Sequence, residues 1–397
     1  MKNLMLVLAS SLITLLLLEG VLRIALPLFS TQPDPLQAER HLYSPYRGHE
    51  LNPLFNTKNN TEGRLLHSPD GFRRDQPIAV CKQDRTIRIF AMGASTLYGL
   101  GTWGGVYSNH RDLFNSELPT FHLEQTLNRQ LKEEGSSWRV EVINTAVVAY
   151  QTFQQLVYLN EKLLDYHPDI IINIEGHNDF YISDPSFEPW NSYAYSSVQL
   201  TRAINHRDIF TAVHLLARAL APYSALAAQV EKRVTRPIFE RNIARQPVAP
   251  IDAPYTDESY RSAARKTFLR AYWQITQLGK LHDFRHLIYL QPEIVLEPAE
   301  LLTEHDRRIL DITVRNMHRP PVEMRHIRDE LPELFRSYGL SYFDAAQLTA
   351  PDKPGDLYVD YCHLTPLGAE RLAENIYPSL LSAIQERIAQ REAQGRN

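Results

Sequence analysis

Apolar residues recur along this chain with two periods. "RTIRIFAMG" (85–93) alternates and then runs continuously apolar, "WRVEVINTA" (138–146) alternates, and "DIIINIEG" (169–176) is an isoleucine run. Each reads as a strand, and "FRHLIYLQP" (284–292) and "LSYFDAA" (340–346) add two more. Between them, "FHLEQTLNRQLKEEG" (121–135) spaces its apolar residues at helical intervals and stops at a glycine. "FQQLVYLNEKLLDYHPD" (153–169) and "PPVEMRHIRDELPELFRSYG" (320–339) read as further helices. Strands that alternate with helices, several of them apolar on both faces, predict a parallel sheet covered by helices on both sides, a three-layer α/β domain.

The pattern breaks in three places. Residues 1–29 form an apolar run from Leu4 to Leu18, then Glu19 and Arg23, then a second apolar stretch ending near Phe29. No pair of small residues follows the run at the spacing of a cleavage site, so the segment reads as an uncleaved signal anchor. As one helix it would span a bilayer of roughly 30 Å with Glu19 and Arg23 near an interface. The alternative is a membrane-surface or buried amphipathic helix. With Lys2 on the cytoplasmic side, the bulk of the chain is expected on the extracytoplasmic side, periplasmic or extracellular.

Residues 30–82 are rich in Pro, Asn and charge, without a sustained period, and read as an irregular N-terminal extension packed on the main domain of residues 83–390. At about 181–282 an insertion begins with "FYISDPSFEPWNSYAYSS", whose aromatic residues serve packing or line a substrate, and continues into helical stretches. It is part cap and part core helix.

Composition narrows the classes. With 44% hydrophobic residues in 397, the chain supports a sizeable core. A formal net charge of -4 and no basic block interleaved with aromatics exclude a nucleic-acid groove. Two cysteines, Cys81 and Cys362, are too few for a disulfide framework, and a single bridge between them stays open alongside two thiols.

Candidate chemistry collects at strand ends. Ser95 in "AMGASTLYG" follows the first strand, in a strand-to-helix turn. "NTAVVAYQT" follows the second, "GHND" with Asn178 the third, and "DYCH" places Asp360 three residues before His363 ahead of the last helix. A hydrolytic serine needs an imidazole to take its proton and a carboxylate to fix the imidazole's tautomer. An Asn amide past a strand end can donate to a developing oxyanion. His177 and Asp179 invite a metal-ligand reading, but no second cluster with metal spacing accompanies them, and they read as turn residues. Cys362 reads as a packed thiol rather than a nucleophile.

In this order the four motifs resemble those of the SGNH, or GDSL-type, hydrolases over residues 85–380 apart from the insertion. The resemblance implies a flavodoxin-like αβα sandwich. It implies Ser95 as nucleophile, His363 as general base and then acid, and Asp360 as orienting carboxylate. The oxyanion hole would be the backbone N–H of Ser95, the side chain of Asn178 and the backbone N–H of Ala149. No metal or organic cofactor is implied, and the family's activities include esterases, lipases, carbohydrate deacetylases and acyltransferases. Two positions depart from the pattern: Ala94 replaces a block I acid outside the triad, and Ala149 replaces the block II glycine, which is strained if the turn requires positive φ.

The sequence therefore predicts a membrane-anchored serine esterase acting on a short-chain ester of an envelope glycan or lipid. An O-acyltransferase with the same triad and an inactive glycan-binding or scaffold protein are the alternatives.

Overall fold

The computed structural model describes residues 2–29, 40–55, 66–102, 106–181, 209–221, 223–238, 257–316 and 321–395. The elements begin with α1 (Lys2–Phe29), β1 (His41–Ser44), β2 (Gly48–Leu51), β3 (Thr86–Gly93), α2 (Ser95–Tyr98), α3 (Pro119–Glu133), β4 (Arg139–Asn144), α4 (Thr152–Glu161), β5 (Ile170–Glu175) and α5 (His177–Tyr181). After them come α6 (Ile209–Leu220), α7 (Ala225–Val230), α8 (Asp257–His282), β6 (Arg285–Leu290), α9 (Glu304–Asn316), α10 (Pro321–Ser337), β7 (Tyr342–Asp344) and α11 (Pro366–Ala393). The chain falls into two compact units, residues 1–39 with 192–254, and residues 40–191 with 255–397.

The larger unit is built on a five-stranded sheet in the order β4-β3-β5-β6-β7, with every neighbouring pair parallel. β3 and β5 are buried along their whole length, as continuous apolar runs demand when helices cover both faces. Those helices form two packed sets, α3 with α11 and α4 with α8. α3 and α11 each start with proline, which costs nothing where the N–H has no helical partner. Thr365 caps α11 by accepting from the Gly368 N–H at 3.0 Å.

All five sheet strands lie where the alternation placed them, although β7 is only three residues long. The later part of the expected insertion is a sheet-covering helix: α8 buries Phe268, Leu269, Tyr272 and Ile275. The aromatic stretch at 182–197 lies outside the described residues. The extension expected to be irregular carries a hairpin, with β1 and β2 antiparallel and Tyr43 paired to His49. Short strands of mixed polarity give no period to read.

In the smaller unit, α1 is a helix whose Glu19 and Arg23 are engaged within the unit. Glu19 accepts from the Ser224 hydroxyl at 2.8 Å and from the backbone N–H of Ala225 at 3.1 Å and Leu226 at 2.9 Å. It thereby occupies the positive N-terminal end of α7, while Arg23 donates to Glu19 at 2.6 Å. Among the described residues no helix is long and apolar enough to cross a membrane. Glu19 and Arg23 interrupt the apolar run, and they are tied to the turn at 223–226.

Candidate active site

The chain leaves β3 toward β4 on one side and β5 on the other, so the C-terminal end of β3 is the switch point where open α/β sheets form a crevice. Gly93 ends that strand. A Cβ there would lie 2.8 Å from the Ile174 carbonyl oxygen and 2.9 Å from the Leu97 Cβ, so only glycine lets the turn pass this close to β5 and α2. Half-buried Ser95 then opens the single turn of α2.

That turn is fixed from below by a residue the sequence pattern did not reveal. Arg73, fully buried, donates to the carbonyls of Tyr98 at 2.9 Å, Leu66 at 3.0 Å and Leu113 at 2.5 Å, and to the Asn115 side chain at 2.7 Å. Its guanidinium also lies 4.6 Å from the Tyr98 ring centroid.

The turn after β4 is bound to β3 through the Val147 N–H, 3.1 Å from the Gly93 carbonyl. Ala149 adopts φ +65°, the left-handed conformation that its glycine-replacing position raised as a question. The next element grips this turn. Asn178 Nδ2 donates to the Tyr150 carbonyl at 2.8 Å, and Asp179 accepts from the Thr152 hydroxyl at 2.6 Å and its N–H at 3.2 Å. Asp179, expected in a turn, lies within α5 and holds the turn before α4, and burial pushes its carboxyl up to about 6 against the lowering effect of Thr152. Its neighbour Glu175, buried beside that charge, is pushed well above the usual carboxylate range.

In the Asp-x-x-His loop the carboxylate is engaged by three N–H donors. Asp360 Oδ1 accepts from the backbone N–H of Cys362 at 3.1 Å and His363 at 2.9 Å, and Oδ2 accepts from His363 Nδ1 at 2.7 Å. Both side chains are buried. Burial alone would raise the Asp360 carboxyl; the His363 ring and the two N–H groups outweigh it and leave it below the ordinary value. With Nδ1 donating to the carboxylate, Nε2 is the lone-pair nitrogen. It is buried and has no hydrogen-bond partner among the described residues.

The Thr96 side chain lies close enough to the Cys362 thiol to act on its titration, which brings this loop against the helix that Ser95 opens. Burial and the nearby Asp360 and Glu293 charges push the thiol well above its usual range, so it is an inert packed group. Both cysteines are free, Cys81 exposed and Cys362 buried, and no bridge joins them. His177 lies beside the loop, bonded through Nδ1 to Glu293 at 3.2 Å, its ring 4.7 Å from that of Tyr361.

Among the described residues, one cluster has the residue types of a metal site: Asp360, Cys362 and His363, with ligand atoms within 4.8 Å of one another. The carboxylate oxygens already face three N–H donors, and the thiol holds its proton. A cation there would have to displace the Nδ1 proton that orients the ring, so the set fits a catalytic dyad rather than a metal.

Each site residue named from the sequence therefore lies at the sheet's C-terminal edge. The supports beneath them, Arg73, Thr152 and Glu293, carry no spacing signal, since each acts through contacts distant in sequence.

No family model matches the chain, and no curated protein matches it. Among solved structures, it is similar to an acetyl xylan esterase at 11% identity, covering 74% of this chain and 100% of that one, with a TM-score of 0.35. An acetylxylan esterase from Geobacillus stearothermophilus gives 11% identity, 76% and 94% coverage and a TM-score of 0.34. A GDSL-like lipase from Bacteroides thetaiotaomicron gives 10%, 75% and 88%, and 0.32. At these levels the roles of the residues rest on the geometry of the site itself.

Proposed function

We propose that the chain is a serine ester hydrolase with Ser95 as nucleophile. The observation that carries this reading is the buried Asp360–His363 pair at 2.7 Å, whose outward nitrogen is left without a partner beside the turn that bears Ser95. A buried polar atom without a partner costs about 1–3 kcal/mol, and an imidazole acceptor beside a serine turn recovers this when a hydroxyl proton arrives.

The Ser95 hydroxyl attacks the ester carbonyl as His363 Nε2 takes its proton. The resulting oxyanion is received by the Ser95 and Ala149 N–H groups and by the Asn178 amide hydrogen not bonded to Tyr150. Collapse of the intermediate breaks the bond to the alcohol, which leaves with the proton from His363. Water then gives its proton to His363, attacks the acyl-enzyme and releases the acid, restoring Ser95.

The substrate is a short-chain ester, such as acetyl, on an envelope glycan or lipid. The chain acts on the extracytoplasmic side, held at a membrane by the smaller unit. Exposed Ile13, Leu16, Val21 and Ile24 on α1, and Ile209, Phe210 and Leu216 on α6, support this placement.

The test is incubation of the full chain with an acetylated oligosaccharide, with and without an unacetylated acceptor, followed by proton NMR of the products. Free acetate in both arms is expected. Acetyl groups moved to the acceptor without free acetate would make the same triad a transferase, and no change in either arm would leave only a binding role.

A further inference from the structure

We propose that the β1–β2 hairpin is a clamp on the oxyanion turn, that His49 is its central positioning residue, and that it is what allows an alanine at position 149. The proposal rests on the serine-hydrolase reading above.

Ala149 sits at φ +65°, where a Cβ crowds the backbone and where glycine would sit without help. Left alone, such an alanine relaxes toward negative φ and swings its N–H away from the crevice. His49 grips the residues on either side of it. Its Nε2–H donates to the Val148 carbonyl at 2.8 Å, and its own backbone carbonyl accepts from the Tyr150 hydroxyl at 2.6 Å. The two rings meet edge to face, 5.0 Å between centroids. His49 and Tyr150 are both fully buried.

The clamp is itself anchored. Arg47, in the hairpin turn, pairs with Glu161 of α4 at 2.6 Å and accepts from Gln154 of the same helix at 2.8 Å through its carbonyl. The His41 ring packs edge to face on His49 at 4.8 Å. From the opposite side, Asn178 holds the Tyr150 carbonyl at 2.8 Å. The peptide groups around residue 149 are thus restrained from the hairpin and from α5 together, and the direction of the Ala149 N–H is set by the pair.

The test compares wild type with His49→Phe in the full chain, using 4-nitrophenyl acetate. Phenylalanine keeps a buried ring and removes the N–H that holds Val148. Because the oxyanion contact forms in the transition state, kcat should fall about tenfold while KM stays within about twofold; complete loss of such a donor costs about 100- to 1000-fold. Adding Ala149→Gly to His49→Phe should return kcat to within about threefold of wild type, since glycine holds the turn without the clamp. A role in general stability alone would not produce that split or that rescue.

If His49→Phe fails to fold by circular dichroism, Tyr150→Phe, which deletes only the bridging hydroxyl, is read in the same way. A folded variant with unchanged kcat, or a loss that glycine does not recover, overturns the clamp. Fluorophosphonate labelling of wild-type Ser95 separates the two levels: a labelled chain with unaffected variants defeats the clamp alone, and an unlabelled chain defeats the hydrolase reading and the clamp with it.

Discussion

Asp360→Asn separates the orientation of His363 from the folding of its loop. The asparagine carbonyl oxygen can keep the two backbone bonds now made by Oδ1, at 3.1 and 2.9 Å. Its amide nitrogen would replace Oδ2, 2.7 Å from His363 Nδ1, and set donor against donor. The ring relieves this by moving its proton to Nε2, so that Nδ1 accepts. The outward nitrogen then carries a hydrogen and cannot take one from Ser95. A wrong tautomer in such a triad costs about 10⁴-fold in kcat, or about 5.5 kcal/mol of barrier.

The stability cost is smaller, about 1–3 kcal/mol for the altered hydrogen bond, because the backbone donors stay satisfied. The sign of its pH dependence follows from the carboxyl lying below its ordinary value of 3.8 in the folded state. Its contribution is complete above that value and is lost as pH falls through the lower folded value, so wild type should lose more stability on acidification than the variant. The assay is the hydrolysis of 4-nitrophenyl acetate from pH 5 to 9, with thermal unfolding at pH 3 and 7. A variant keeping more than about one tenth of wild-type kcat would refute the assigned role of Asp360.

Asp179, pushed up from 3.8 to about 6 by burial, keeps its proton in the folded chain at pH values where the unfolded chain has lost it. Stability should therefore decline as pH rises from 3.8 toward 6, by up to about 3 kcal/mol from this group. Asp179→Asn should flatten that decline in urea titrations at pH 4, 5, 6 and 7, and parallel curves for the two chains would contradict it. Iodoacetamide should alkylate Cys81 within minutes and leave Cys362 unmodified until the chain is unfolded, since only the first is exposed. Peptide mass mapping checks this, and modification of Cys362 in the folded chain would show a reactive thiol in place of a packed one.

The sheet was legible because β3 and β5 are buried on both faces, and a run such as Ile170–Ile174 has few other places to go. Ser95, Asn178, Asp360 and His363 were legible for a related reason: each sits one turn past a strand or before a helix, where local pattern fixes position. The left-handed Ala149 was visible as a question, since its glycine-like place conflicts with its Cβ. Its answer in His49 was not visible, because residues 49 and 149 meet through a hairpin too short and too polar to show a period. Arg73 was hidden likewise, its acceptors being backbone carbonyls that any sequence carries. The role of Glu19 was hidden too: it looks like an interruption in an apolar run, and its partners, the N–H groups opening α7, lie some 200 residues away.

The central claim is that Ser95 is an activated nucleophile. Its most direct test is intact-mass spectrometry of the full chain after exposure to a fluorophosphonate, beside Ser95→Ala. One adduct on wild type and none on the variant is the predicted result. A folded wild-type chain that takes no adduct, or a variant that takes the same one, would contradict the claim.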